Sequence, residues 1–284
     1  MTIREAEQQL SVRLCSIYDN REAAAISALI MEYISGWKKM DRILNKSCPL
    51  SEPAIDLLEK YTEELLSHKP VQYVLKESWF YGLKFYVNEH VLIPRPETEE
   101  LVKWILDDQP VPGSSVLDIG TGSGCIAVAL KKNRPEITMT GCDISGEAII
   151  VARKNAISNQ TSVDFLKLDF LKEDQRAALA FANCIAANPP YVPFQDKNEM
   201  RPNVTQYEPH EALFVPDHDP LIFYRAIADF GLKKLLPGGK IFAELYEKSA
   251  AAVKQLFSLK GYSSIEIKGD TEGKDRLLKA TLLP

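Results

Sequence analysis

The sequence predicts an α/β protein: a seven-stranded, mainly parallel sheet covered on both faces, preceded by a helical bundle and a linking β-hairpin. Three observations predict this. From Val111 onward, short apolar strands alternate with amphipathic helices, the pattern of a parallel sheet buried on both sides. Thr2 to His68 carries helical periodicity and no strand signal. Between these regions lies a stretch rich in aromatic and β-branched residues, which favour strands.

Taken in order, "IREAEQQLSVRLCSIYD" brings Ile3, Leu10, Leu14 and Ile17 to one helical face. "REAAAISALIMEYISG" is a second helix, stopped by Gly36. "SEPAIDLLEKYTEELLSHK" opens on Ser51, Glu52 and Pro53, and sets Ile55, Leu58, Tyr61 and Leu65 on one side. "ESWFYGLKFYVNEHVLIP" predicts a hairpin between Trp79 and Ile93, with "VNEH" as its polar break. Pro96 and Glu97 open the next helix. Strands follow at "SSVLDIG", "EITMTGCD", "SVDFLKLD" and "ANCIAA", with helices at "GCIAVALKKNRP", "SGEAIIVARKNAI" and "LKEDQRAAL" between them. A helix at about 219–235, the strand "GKIFAEL" and a helix at 248–259 come next. The last strands, "SSIEIK" and "RLLKATLL", have no helix between them and must pair antiparallel or diverge. The predicted division is a helical domain (1–75), a hairpin linker (76–95) and a sheet domain (96–284).

Composition excludes several classes. The 284 residues are 45% hydrophobic and 26% charged, with a net charge of -5, the profile of a soluble globular protein. An acidic chain is poorly suited to holding duplex DNA by its phosphates, so no stable nucleic-acid partner is expected. No apolar run reaches the roughly 18 residues that span a bilayer, and "MTIREAEQQL" lacks the basic and apolar regions of a signal peptide. The expected location is the cytoplasm. Cys15, Cys48, Cys125, Cys142 and Cys184 are scattered, as reduced thiols are, and the four histidines show no metal-ligand spacing. No metal site is predicted.

Two strand ends carry the chemistry. In "VLDIGTGSGCIAVAL" a strand runs into Gly120-Thr121-Gly122-Ser123-Gly124 and then a helix, a loop that lets a ligand approach the backbone and the helix amides. A dinucleotide loop wants G-x-G-x-x-G, but the third glycine comes one residue early and Cys125 takes its place. Asp118, an acid ahead of the first glycine, repels a pyrophosphate and suits the cationic end of S-adenosylmethionine. Asp143 closes the next strand where a carboxylate accepts from ribose hydroxyls, and Asp169 ends the third, with Phe170 placed to cover an adenine. Glycine loops and strand-end aspartates also serve as plain turn formers, but three in succession at one sheet edge indicate a ligand site.

The fourth strand stops at Asn188-Pro189-Pro190-Tyr191. Consecutive prolines end a strand whatever else they do. They also hold an amide and a ring at a stiff corner beside the cofactor edge. Methyl transfer to a planar NH2 nitrogen needs acceptors that draw out its delocalised lone pair. The Asn188 side-chain oxygen and the Pro189 carbonyl supply them, and Tyr191 offers a stacking face. The same corner serves an amide or the exocyclic amine of adenine.

With "DIGTGSG", "ANPPYV", "YEPHEALFVPDHDPLIFYR", "LPGGKIFAEL" and "VLIPRPETEELV", the chain from Phe80 onward resembles the HemK-type N5-glutamine methyltransferases of peptide chain release factors. The resemblance implies a Rossmann-like S-adenosylmethionine methyltransferase sheet and an N-terminal substrate-recognition domain. It also implies that Gly120–Gly124, Asp143, Phe170 and Asn188 lie against S-adenosylmethionine, and that Asn188 to Tyr191 hold the target glutamine. Ile93–Glu99 would close over the cleft. The implied partner is a class 1 release factor, modified on the glutamine of its Gly-Gly-Gln tip. Lys76 and Tyr246 stand where the family usually has glycine, and Phe170 where some members carry tryptophan. The alternatives are a glutamine methyltransferase of a ribosomal protein, an adenine-N6 methyltransferase and a scaffold that has lost transfer. Asp118, Asp143 and Asn188 together argue against the scaffold, which has no chemical need for them.

Overall fold

The computed structural model describes all residues except 271, 272 and 284. They form two compact units, Met1–Lys76 with Arg201–Tyr207, and Glu77–Met200 with Glu208–Pro284.

The first unit is helical: α1 (Ile3–Leu14), α2 (Asn20–Ser35), α3 (Lys39–Leu44), α4 (Glu52–Leu66) and α5 (Val71–Leu75). A capping box starts α1: the Thr2 hydroxyl accepts from the Glu5 N–H, and the Glu5 carboxylate accepts from the Thr2 N–H. Asp19 caps α2, which stops at Gly36 with φ +70°. Leu10 and Leu14, Ile30 and Met31, and Leu65 close the core. Ile17 is only half-buried. Lys76 ends α5 at φ +55°, where a side chain is strained by about 1 kcal/mol and glycine is not. Arg201–Tyr207 belongs to this unit as well, which chain order alone does not foretell. The Arg201 guanidinium donates to the Glu22 carboxylate at 3.1 Å, and the Tyr207 hydroxyl to the Ser67 carbonyl at 2.7 Å.

The second unit begins with a hairpin, β1 (Ser78–Phe80) and β2 (Leu83–Phe85), whose strands pair antiparallel. Its turn is Tyr81-Gly82, both residues at positive φ, and not the "VNEH" break that the sequence predicted. Tyrosine is a rare occupant of such a turn, which hid it. Glu99 repays part of the strain by accepting from the Tyr81 N–H at 2.8 Å. The chain then runs as an irregular strap into α6 (Pro96–Asp107).

Strands and helices now alternate: β3 (Ser115–Ile119), α7 (Cys125–Asn133), β4 (Thr138–Asp143), α8 (Gly146–Ser158), β5 (Asp164–Lys167), α9 (Glu173–Arg176) and β6 (Ala182–Ala187). A short parallel pair, β7 (Val192–Pro193) and β8 (Phe214–Val215), brackets α10 (Pro202–Thr205) of the first unit. Then come α11 (Ile222–Lys234), β9 (Leu235–Glu244), α12 (Ala250–Leu259), β10 (Ser263–Gly269) and β11 (Asp275–Thr281). The sheet has seven strands in the order β10-β11-β9-β6-β3-β4-β5. The run β9, β6, β3, β4, β5 is parallel, and β11 pairs antiparallel with both β9 and β10, as the missing helix required. Leu101, Ile105, Val128 and Leu130 cover one face, and Tyr224, Ile227, Phe230 and Phe257 the other. Strand order reverses between β3 and β6, so the loops after them diverge and leave a crevice at their carboxyl ends. No helix among the described residues is long and apolar enough to cross a membrane.

Candidate active site

The crevice holds a cavity of about 540 Å³, lined by Gly120 to Ser123 of the glycine loop, Asp143, Asp169, Phe170 and Asn188 to Pro190, with Gly124 set back against Ala152. Loop and corner nearly touch: a Cβ on Gly120 would lie 3.9 Å from the Asn188 carbonyl oxygen.

Backbone geometry builds the loop. Gly120, Gly122 and Gly124 have φ of +71°, +52° and +79°, and a Cβ on Gly124 would also meet the Ala152 Cβ at 3.1 Å. The Gly120 and Thr121 N–H groups both donate to the Cys142 carbonyl at 2.9 Å, tying the loop to β4. The Ser123 carbonyl accepts from Asn155, a buried residue of α8 that also brackets the Tyr86 backbone through its N–H and carbonyl. Asn155 therefore joins the loop to the strap.

The predicted acids differ in placement. Asp143 lines the cavity, and its two oxygens accept from the Gly122 and Ser145 N–H groups at 2.9 Å. Each oxygen keeps a lone pair for a ligand hydroxyl. Burial raises its pKa, with the Ser145, Gly122 and Ile144 N–H groups pulling the other way. Asp169 lines the cavity too and accepts from the Leu171 N–H at 3.0 Å. Phe170 borders it while packing edge-on against Phe230, centroids 5.3 Å apart. Asp118 is fully buried under the loop and is not among the lining residues. It acts on the loop through the Thr121 hydroxyl, which donates to Oδ2 at 2.6 Å, while Oδ1 has no partner. Burial pushes its pKa up to about 7.

At the corner, Asn188 Nδ2 donates to Thr98 Oγ1 at 3.1 Å, and Thr98 donates to Glu244 Oε2 at 2.7 Å. Tyr191 is not among the cavity-lining residues. Its hydroxyl donates to Glu244 Oε1 at 2.9 Å, and its ring stacks on Tyr246 at 6.1 Å and 11°. Tyr246, the second departure from the family pattern, thus has a structural partner. The strap Glu89–Leu92, with Pro94 and Arg95, lines the cavity and is fastened by Glu208. That nearly inaccessible carboxylate takes the Arg95 guanidinium and accepts from the Ile93 N–H at 3.1 Å.

Thr98, Asn155, Glu208 and Glu244 are not singled out in the sequence, although Thr98, Glu208 and Glu244 lie inside stretches that carry the family resemblance. A signal existed for Glu244: it is an acid closing an apolar strand at the same sheet edge, the feature that exposed Asp143. The others are polar residues in loops or helices, with nothing in their spacing to mark them.

A glycine cradle, a strand-end carboxylate and apolar walls suit a ligand that is part nucleoside and part amino acid, as S-adenosylmethionine is. Beside the Asn-Pro-Pro corner, they define an α/β methyltransferase. The family models agree: methyltransferase small domain matches residues 98–208, and PrmC N-terminal domain matches residues 3–75. A release factor glutamine methyltransferase of Flavobacterium psychrophilum is 37% identical over 98% of this chain and 99% of that protein. One from Bacteroides thetaiotaomicron is 40% identical over 94% and 95% respectively. The chain belongs to the release factor glutamine methyltransferase family. The fold also matches a methyltransferase crystal structure from Pyrococcus furiosus at TM-score 0.55 and 19% identity, covering 80% of this chain and 100% of that one.

Proposed function

We propose that this protein transfers a methyl group from S-adenosylmethionine to the side-chain amide nitrogen (N5) of the glutamine in the Gly-Gly-Gln tip of class 1 release factors. One observation carries the reading: in a chain similar along its whole length to release factor glutamine methyltransferases, the glycine loop and Asn188-Pro189-Pro190 line one cavity. The loop and Asp143 would hold the nucleoside end of the donor, with Phe170 at the wall beside it. When bound, S-adenosylmethionine supplies an electrophilic methyl on a cationic sulfur.

The residues of the corner do the rest. Asn188 Oδ1 and the Pro189 carbonyl accept from the glutamine NH2, aim its nitrogen along the line of attack and favour the tetrahedral, positively charged nitrogen that develops. Pro190 has no N–H to compete for the Pro189 carbonyl. With the donor bound, the new N–C bond would replace the C–S bond, the electron pair would stay on sulfur, and the acidified N–H proton would leave to water afterwards. No general base is needed before transfer.

The helical unit recognises the body of the factor in this reading. Its α3 exposes Met40, Ile43 and Leu44, and is anchored by the buried Arg42, which donates to the Trp37 carbonyl at 3.0 Å. A cytoplasmic location follows from such a substrate. Labelled-methyl transfer to the organism's own release factor, with a Gln→Ala tip control, tests the proposal. Label on the tip glutamine supports it; label on DNA or a ribosomal protein instead refutes it.

A further inference from the structure

The two ends of an asparagine amide have the same shape, so only their hydrogen-bond partners decide which end faces the cavity. Here that decision is made at Glu244. Its backbone is fixed, because the buried Tyr224 hydroxyl donates to the Glu244 carbonyl at 2.9 Å. Its carboxylate is fully buried, with Oε2 facing the Thr98 hydroxyl at 2.7 Å and Oε1 facing the Tyr191 hydroxyl at 2.9 Å. Burial raises its pKa above the usual carboxylate range and Glu97 adds to the rise, while the Thr98 and Tyr191 hydroxyl bonds and the charge of Arg276 pull it back. In both contacts the hydroxyl is the donor and the Glu244 oxygen the acceptor. The single Thr98 hydroxyl hydrogen therefore points at Glu244, and Thr98 presents only lone pairs to Asn188.

Under that constraint, Asn188 must turn Nδ2 toward Thr98, as the 3.1 Å contact shows, and Oδ1 away from it. Reversing the amide would set two acceptors against each other. Turning the Thr98 hydrogen to meet it would strip a buried carboxylate oxygen of its donor.

We propose that Glu244 and Thr98 are positioning residues: they fix the Asn188 amide with its oxygen toward the cavity, and so select a substrate nitrogen that brings its own hydrogens, a primary amide or amine. The selection rests on the methyl-transfer reading above, while the orientation of Asn188 stands without it.

Thr98→Val keeps the shape and removes the relay; Thr98→Ser keeps the relay. In Thr98→Val, kcat falls by about 10-fold to 10²-fold, the scale of misplacing one group that acts in the transition state. KM for the release factor and the Kd of S-adenosylhomocysteine stay within about threefold. Thr98→Ser recovers kcat to within about threefold of wild type. In 15N-labelled protein without ligand, the Asn188 side-chain amide hydrogens exchange slowly in wild type and Thr98→Ser, and fast in Thr98→Val. Wild-type kcat in Thr98→Val, equal losses in Val and Ser, or unchanged exchange would each overturn the proposal. An inactive wild-type protein would instead count against the methyl-transfer reading, and the exchange experiment still decides the orientation of Asn188.

Discussion

The two halves of the site are built on opposite principles. The loop after β3 is made by its own backbone: three left-handed glycines, two N–H groups on one carbonyl, and Asp143 pinned by amides. The corner after β6 is stiff because of its prolines, yet its chemistry is set from a distance, by Thr98 on α6 and Glu244 on β9. A ligand held by backbone is lost when that backbone is strained, and the reacting groups are not misaimed. A reacting group aimed by a relay is misaimed when a relay side chain changes, with the ligand still held. Substitutions in the corner should therefore cost turnover, and substitutions in the loop should cost binding.

The largest effect expected is from Asn188→Ala. Turnover falls by roughly 10²-fold or more, while S-adenosylhomocysteine affinity by calorimetry stays within a few-fold. A loss of affinity equal to the loss of turnover would erase the contrast between the two halves.

Next comes the charge buried under the loop. The Asp118 carboxyl is raised from 3.8 to about 7 by burial, so the folded state holds its proton more tightly than the unfolded chain. Its stabilising contribution is complete below about pH 3.8 and is lost as the pH climbs through about 7. Between pH 5 and pH 8, Asp118→Asn should lose on the order of 3 kcal/mol less stability than wild type, measured by urea unfolding at both values. Parallel pH profiles would show that the buried group is compensated elsewhere.

Gly124→Ala strains a φ of +79° and crowds Ala152. Its expected cost is about 2 kcal/mol, read as weaker S-adenosylhomocysteine binding with kcat at saturating donor little changed. A kcat defect with intact binding would put chemistry in the loop. The smallest effect is from Tyr246→Gly, which removes the ring stacked on Tyr191. It should lower stability by about 1 kcal/mol and leave turnover within a few-fold, because Glu244 still holds the Tyr191 hydroxyl.

The same contrast explains what was legible in the sequence. Alternating strands and helices, and the glycines at Gly120, Gly122 and Gly124, are local signals, because period and positive φ are properties of short stretches. Asn188-Pro189-Pro190 was legible as a corner for the same reason. The relay was not: Thr98, Asn188 and Glu244 are far apart in the chain, and only the pairing of β6 with β9 and the packing of α6 against β9 bring them together. Asp118 shows the opposite limit. Its place before the loop was plain, but its depth was not, and it reaches the loop through Thr121. The hairpin turn at Tyr81-Gly82 was missed because a tyrosine occupies a position where asparagine or glycine is the usual signal.

The central claim is that this cavity methylates a glutamine amide. The direct measurement is mass spectrometry of the tip peptide from the organism's own class 1 release factor, after incubation with the protein and S-adenosylmethionine. The account predicts one added methyl on the Gly-Gly-Gln glutamine, absent when Asn188→Ala replaces the wild-type protein over the same interval. An unmodified glutamine from a protein that binds S-adenosylhomocysteine would contradict it.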